Sequence, residues 1–382
     1  MATGSTGSTG DVGRAFLRLG LTAFGGPAAH VALMRDEFVR RRAWLSDSEF
    51  LDLVGAANLI PGPTSTELAL HLGHKRAGAA GFFVAGFAFI GPAAVLVAAL
   101  AWAYEAVGAR PEALAALAGV APVVVAIVAH AAVGLGRSAL RDPLTVAIGL
   151  AAALAAFAGA AEIAILLVAG IAGLAGRRVM PGGLRHASAM LAPVGLAGSA
   201  AAAALTASPA GLLLVFAKIG AVLFGSGYLL VALLRSEIVE GLGWITERQL
   251  LDAIAVGQLT PGPVTTSATF IGWLVAGPVG AAAATVGIFA PAFLAVAVSI
   301  PVLPRLRRSP SARAFLDGVN AAAVALIGVV AVELARVAVV DVPTAALVLA
   351  GVALLGTGRV GSVPLLVVGG AVGIALHLAR GG

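Results

Sequence analysis

From Ala253 to Pro304 the chain carries no charged side chain, yet inside that stretch it breaks its own backbone with Pro261-Gly262-Pro263. An uncharged segment this long has few homes. A helix crosses a bilayer with about 20 apolar residues. A soluble domain carries about 25% charged residues; this chain has 11%, with 60% hydrophobic residues and a mean hydropathy of +1.03. A soluble fold would lack the polar surface to cover that mass. The apolar runs are continuous and rich in Ala, Leu and Val instead of alternating, which selects helices over the strands of a barrel. The 50 glycines and 19 prolines suit membrane helices. The expected class is therefore an all-α polytopic membrane protein. The absence of cysteine excludes disulfides, thiolate metal sites and cysteine nucleophiles. The net charge of +6 comes from arginines in short loops between apolar runs, the positive-inside pattern, and does not point to nucleic acid. Residues 1–13 are polar, low in complexity and unlike a signal peptide, so a disordered tail is expected there.

The chain repeats itself. At an offset of 200, Phe24-Gly25 matches Phe224-Gly225, Arg35 matches Arg235, Glu37 matches Glu237, Trp44 matches Trp244, and Pro61-Gly62-Pro63 matches Pro261-Gly262-Pro263. One residue is then lost, and Gly73/Gly272, Gly81/Gly280, Pro92/Pro291 and Asp142/Asp341 follow at 199. Such a register indicates internal duplication. The expected units are a first repeat over 14–176, a basic linker with an extra span over 177–208, and a second repeat over 209–382. Apolar runs lie near 15–34, 79–104, 113–136, 143–159 and 162–175, and near 210–234, 279–303, 315–335, 343–356 and 363–379. One run, 189–206, has no counterpart. With the broken segments this gives about 13 spans. Basic loops alternate with poor ones in the first half (Lys75-Arg76, Arg137/Arg141, Arg177-Arg178), and the alternation inverts in the second (Arg305, Arg307, Arg308, Arg313). The repeats are then upside down relative to each other, N-terminus inside and C-terminus outside. Inverted repeats with broken helices are an architecture of secondary transporters.

Each Pro-Gly-Pro segment follows a capping box, Ser46 with Glu49 and Thr246 with Gln249. The helix should stop at Ile60 or Thr260 before the proline, and a second should start after Pro63 or Pro263. Non-helical backbone at membrane depth is tolerated only where it is buried in protein or lines a cavity. The break should free N–H groups at a helix start, an anion site with a positive dipole end. Thr64, Ser65 and Thr66, with Thr265, Thr266 and Ser267, add hydroxyls; Asn58 and Gln258 add amides. Donors without fixed carboxylates suit an oxyanion. The plainer alternative is a packing kink whose hydroxyls bond back to the preceding carbonyls.

Two cations precede the Phe-Gly pairs, Arg18 and Lys218. An ionisable group within a span is by default functional, so Lys218 is expected to attract the anion; snorkelling to the surface is the alternative for both, the more so for Arg18, which lies near a helix end. Glu67 and His71 lie one turn apart, as a helix cap or a proton-carrying pair. His30 and His130 read as packed imidazoles. No metal site or cofactor is expected. An enzyme is disfavoured: there is no nucleophile with its base, no metal cluster and no soluble catalytic domain, and no Walker motif that would make ATP the energy source.

At these motifs the sequence resembles the chromate ion transporter family in its long, two-domain form. The signature is Gly25, Gly26, Val39, Trp44, Pro61-Gly62-Pro63, Gly73 and Gly81, and again Gly225, Val239, Trp244, Pro261-Gly262-Pro263, Gly272 and Gly280, with Ser226 where a second glycine is expected. The resemblance implies export of chromate across a bacterial inner membrane, driven by membrane potential or a proton gradient. Sulfate is implied as a second tetrahedral dianion, with uptake of sulfate or another oxyanion as the alternative. A homodimer stands as a further option.

Overall fold

A computed structural model of the protein describes residues 8–24, 26–58, 60–107, 110–177, 206–224, 229–306 and 309–379. Gly25, Gly225, Ser226 and nearly all of the extra apolar run 189–206 lie outside the described residues. The first repeat contains α1 (Thr9–Thr22), α2 (Gly26–Arg35, continued by a π-helical turn Asp36–Arg41), α3 (Asp47–Ala57), α4 (Thr64–Val107), α5 (Pro111–Ala139), α6 (Pro143–Phe157) and α7 (Glu162–Gly176). The second contains α8 (Pro209–Val222), α9 (Leu229–Leu234, continued by a π-helical turn Arg235–Gly241), α10 (Glu247–Leu259), a 3₁₀ turn Val264–Thr266 leading into α11 (Ser267–Leu306), α12 (Pro310–Ala338), α13 (Val342–Gly356) and α14 (Ser362–Ala379). The elements of the described residues are all helical.

The expected tail is shorter than residues 1–13. Ser8 caps α1 by accepting the Gly10 N–H at 3.1 Å, and Val12, Ala15, Phe16 and Leu19 bury one face at helical spacing. Residues 9–13 are the first turn of a packed helix.

The broken segments fold back as hairpins. Phe16 and Phe38 lie 22 residues apart, about 33 Å along a straight helix, yet their ring centroids are 4.9 Å apart. The chain therefore doubles back between α1 and α2. It does so again at Pro61-Gly62-Pro63: the Lys75 ammonium donates to Glu49 at 2.6 Å, tying the base of α3 to the far end of the next helical limb. A third reversal follows at once, at Ala77 and Gly78, the latter with φ +60°. Gly73 and Gly81 then pack so closely that a Cβ on either would collide with the other's carbonyl. Ala276-Gly277 and the pair Gly272/Gly280 repeat the device in α11. Each Pro-Gly-Pro is the tip of a helical hairpin, and the chain reverses once more at residue 78 or 277 before the long apolar limb that follows. Five described helices are long and apolar enough to span: α4, α5, α11, α12 and α14; α6, α7, α8 and α13 are shorter apolar helices.

The halves are interlocked. α5 packs on α13 and α14, while α12 packs on α6 and α7; α1 lies along α4 as α8 lies along α11. Every one of these pairings maps onto another when the halves are exchanged.

Candidate functional site

The hairpin tips meet between the repeats, and they meet reciprocally. The Gly62 N–H donates to the Leu223 carbonyl at 2.6 Å, and the Gly262 N–H donates to the Ala23 carbonyl at 2.9 Å. Each Pro-Gly-Pro tip thus caps the α1/α2-type break of the other half. Gly62 has φ +144° and Gly262 φ +96°, a region side chains avoid. A Cβ on Gly62 would press on Ala292, and one on Gly262 on Ala93. Glycine is needed at both tips for backbone and for space. The Ala23 carbonyl takes a second donor, His30 Nε2 at 3.1 Å, which fixes the proton on that nitrogen. His30 is a packed imidazole, set edge-on to Phe89.

The tip glycine N–H groups are thus taken, and of the helix-start N–H groups those of Thr66 and Thr266 donate to the Pro63 and Pro263 carbonyls at 2.8 and 3.0 Å. What the crossing leaves unpaired is side-chain chemistry. The hydroxyls of Thr66 and Thr265, the whole amide of Gln258, both carboxylate oxygens of Glu67 and Nε2 of His71 are buried and have no hydrogen-bond partner. Buried polar atoms are nearly always satisfied, and these unpaired ones all lie within about two turns of the two helix breaks. Glu67 lies against Gly62, close enough that a Cβ there would collide with its Oε1. Thr266 and Ser267 behave as the plainer alternative foresaw, bonding back to the carbonyls of Pro263 at 2.8 Å and Val264 at 2.9 Å.

The two cations are elsewhere. The Lys218 ammonium donates to both Glu237 oxygens at 2.7 and 2.8 Å, across the hairpin from α8 to the turn after α9. It is committed to a carboxylate instead of being presented unpaired to the crossing. Arg18 is exposed on α1.

A cavity of about 690 Å³ leads toward the crossing. Asn58 and Phe224, beside the two breaks, form its inner end; Arg141, Arg177, Asp317 and Asn320 line the rest. Arg177 bridges Asp142 at 2.9 Å and Asp317 at 3.0 Å. The Thr145 backbone N–H, and then Arg177, hold the Asp142 carboxyl below the usual carboxylate range. The two hairpins differ in how their first helices pack, and Asn58 at the cavity lies on the less packed one. On α10, Leu251, Asp252, Ala255 and Gln258 are buried to within 2%, and the helix packs on α5, α12 and α14. The matching face of α3 is open: Leu51, Asp52, Gly55 and Asn58 are all exposed, and α3 makes no comparable packing with α12, α5 or α7 among the described residues. Sequence reasoning named Asn58 but missed Arg141 and Asn320. Their signal was their singularity, since the second half has Val340 and the first has Ala121 at the equivalent positions, 141 + 199 and 320 − 199.

The profile of the chromate transporter family matches residues 10–176 and 210–374. The chain is 34% identical over 362 residues to a chromate transport protein of Cupriavidus metallidurans, covering 94% of this chain and 90% of that protein. It is 35% identical over 354 residues to one of Pseudomonas aeruginosa (86% and 82%) and 32% identical over 334 residues to a probable one of Synechococcus elongatus (86% and 85%). No solved structure matches. Both repeats, with their glycine-linked hairpins and multi-pass apolar helices, fall within the matched residues, and the chain belongs to the chromate transporter family.

Proposed function

We propose that the protein is a secondary transporter that exports chromate across the bacterial inner membrane, driven by membrane potential or a proton gradient. The observation that carries this reading is the reciprocal crossing of hairpin tips, with its buried and unpaired hydroxyls and amide. A tetrahedral oxyanion accepts hydrogen bonds on every oxygen and suits Thr66, Thr265 and Gln258 as donors. Pairing of the two breaks is what an inverted repeat brings about near the midplane. The inversion of basic loops and the exchange symmetry of the helix packing support the same arrangement. Each repeat then crosses through the second limb of α4 or α11 and the three helices that follow. Glu67 and His71, one turn apart on the face toward the tip, are the candidates for a coupled proton.

Labelled chromate and sulfate, offered to inverted and right-side-out vesicles, give substrate and direction together. Chromate accumulation in inverted vesicles is expected; accumulation only in right-side-out vesicles would replace export by uptake. Replacing Pro261-Gly262-Pro263 by three alanines favours a continuous helix and removes the tip, so transport should vanish in a protein that still inserts. Thr265→Val keeps the shape but loses an unpaired hydroxyl, and should weaken apparent chromate affinity by about tenfold or more. Thr266→Val, whose hydroxyl is already spent on Pro263, should not. Normal affinity in both the triple-alanine and Thr265→Val proteins would reduce the breaks to packing kinks.

A further inference from the structure

The 690 Å³ cavity is not accounted for by the crossing alone. Two cations line it, and they differ. Arg177 is held by Asp142 and Asp317, whereas Arg141 is exposed and has no carboxylate partner among the described residues. The repeat isolates Arg141 further. Asp142 with Thr145, and Asp341 with Thr344, build the same capping box in both halves, so the fold requires those residues. The residue just before is Arg141 in one half and Val340, 77% exposed, in the other, so the fold does not require a cation there. Asn320 likewise stands where α5 has Ala121, which is buried against its neighbours. The positive-inside rule asks for an arginine on one side of the membrane. It does not ask for one that lines a cavity, nor for an amide deeper in.

We infer that this cavity is an admission site for the transported oxyanion, where the Arg141 guanidinium takes two of its oxygens and the Asn320 and Asn58 amides pass it toward the breaks. The inference rests on the oxyanion reading of the crossing. A guanidinium offers parallel donors that match such an ion bidentately. Electrostatics give Arg141 a second task. Asp142 and Asp317 place two negative charges against the one positive charge of Arg177, so the mouth without Arg141 would repel a dianion. With Arg141 the four groups balance, and the one unpaired charge among them is positive.

The chain has no cysteine, so Ser138→Cys places a single thiol in the cavity wall. Its modification by an anionic and by a cationic thiosulfonate reagent, in the full-length reconstituted protein, reads the local potential without needing transport. Sulfate should slow modification of Cys at 138. Adding Arg141→Gln should lower the anionic-to-cationic rate ratio about tenfold at low ionic strength, abolish sulfate protection, and raise the chromate KM more than it lowers the maximal rate. Arg141→Lys should keep the ratio yet recover only part of the KM, because it lacks the fork. An Arg141→Gln protein with unchanged ratio and unchanged KM overturns the inference, as does a Ser138→Cys protein with Arg141 intact whose thiol sulfate does not protect. If sulfate protects Cys at 138 while the triple-alanine tip variants transport normally, the admission site stands and the central route is wrong.

Discussion

Lys218 and Arg18 occupy one place in the repeat and reach different ends. Glu37, the counterpart of Glu237, is held by Arg42 at 2.6 Å; the second half has Leu242 there, so its glutamate takes Lys218 instead. The pairing was hidden in the sequence because it joins residues 19 apart across a hairpin that no local pattern announces. It changes what substitution should do. Lys218→Ala strands a largely buried carboxylate and should destabilise the protein by about 1–3 kcal/mol, lowering its melting temperature in detergent. Lys218→Met with Glu237→Met removes both charges and should restore stability and transport. Loss of transport in a fully stable double variant would return Lys218 to the anion path. The tip residues were more legible. Proline and glycine in a charge-free run left a break as the only local outcome, and hydroxyls after it meant caps or ligands. Which hydroxyl did which was settled only in three dimensions, where Thr266 finds the Pro263 carbonyl and Thr265 finds nothing.

At the scale of elements, the capping boxes, helix starts after Pro63 and Pro263, and the Gly73/Gly81 spacing could all be read from sequence. The reversals were legible only in part: Lys75-Arg76 mark a loop before Ala77-Gly78, whereas no charge marks Ala276-Gly277, which only Pro278 follows. That is why the sequence alone leaves open whether each Pro-Gly-Pro segment is a hairpin or one broken span. The same limit hid the difference between α3 and α10, whose sequences match while their packing does not. An apolar side chain such as Leu51, 59% exposed, has a buried place available to it: the one Leu251 occupies on the other hairpin. On the transporter reading proposed above, the exposed and the buried hairpin would exchange roles and so open the opposite face. Single cysteines read it directly. A membrane-impermeant thiol reagent should label Leu51→Cys from the cytoplasmic side alone and leave Leu251→Cys, at a position 1% exposed, largely unmodified. Conditions that drive the exchange should reverse the pattern, with Leu251→Cys labelled from the outside. Labelling of both from one side would contradict the inverted arrangement of the halves.

Across the whole molecule, one fold serves two charge environments. The π-helical turn of the first repeat and its flank carry Arg35, Arg40, Arg41 and Arg42; at the same place in the second repeat Arg235 is surrounded by Glu240, Glu247 and Glu333. The contrast was visible in the sequence and is what positive-inside sorting would make of the two oppositely facing copies proposed above. The reciprocal tip bonds have a different consequence. Since Gly62 is capped by Leu223, and Gly262 by Ala23, neither half closes its own break, and each is the other's missing piece. Severing the chain between residues 177 and 206 should therefore yield two genes that are inert alone and confer chromate transport only when expressed together. Two copies of the first half should not substitute for the second, because one of them would have to insert against its own arginine-rich loops. Transport by either half alone would mean that a tip can be capped without its opposite.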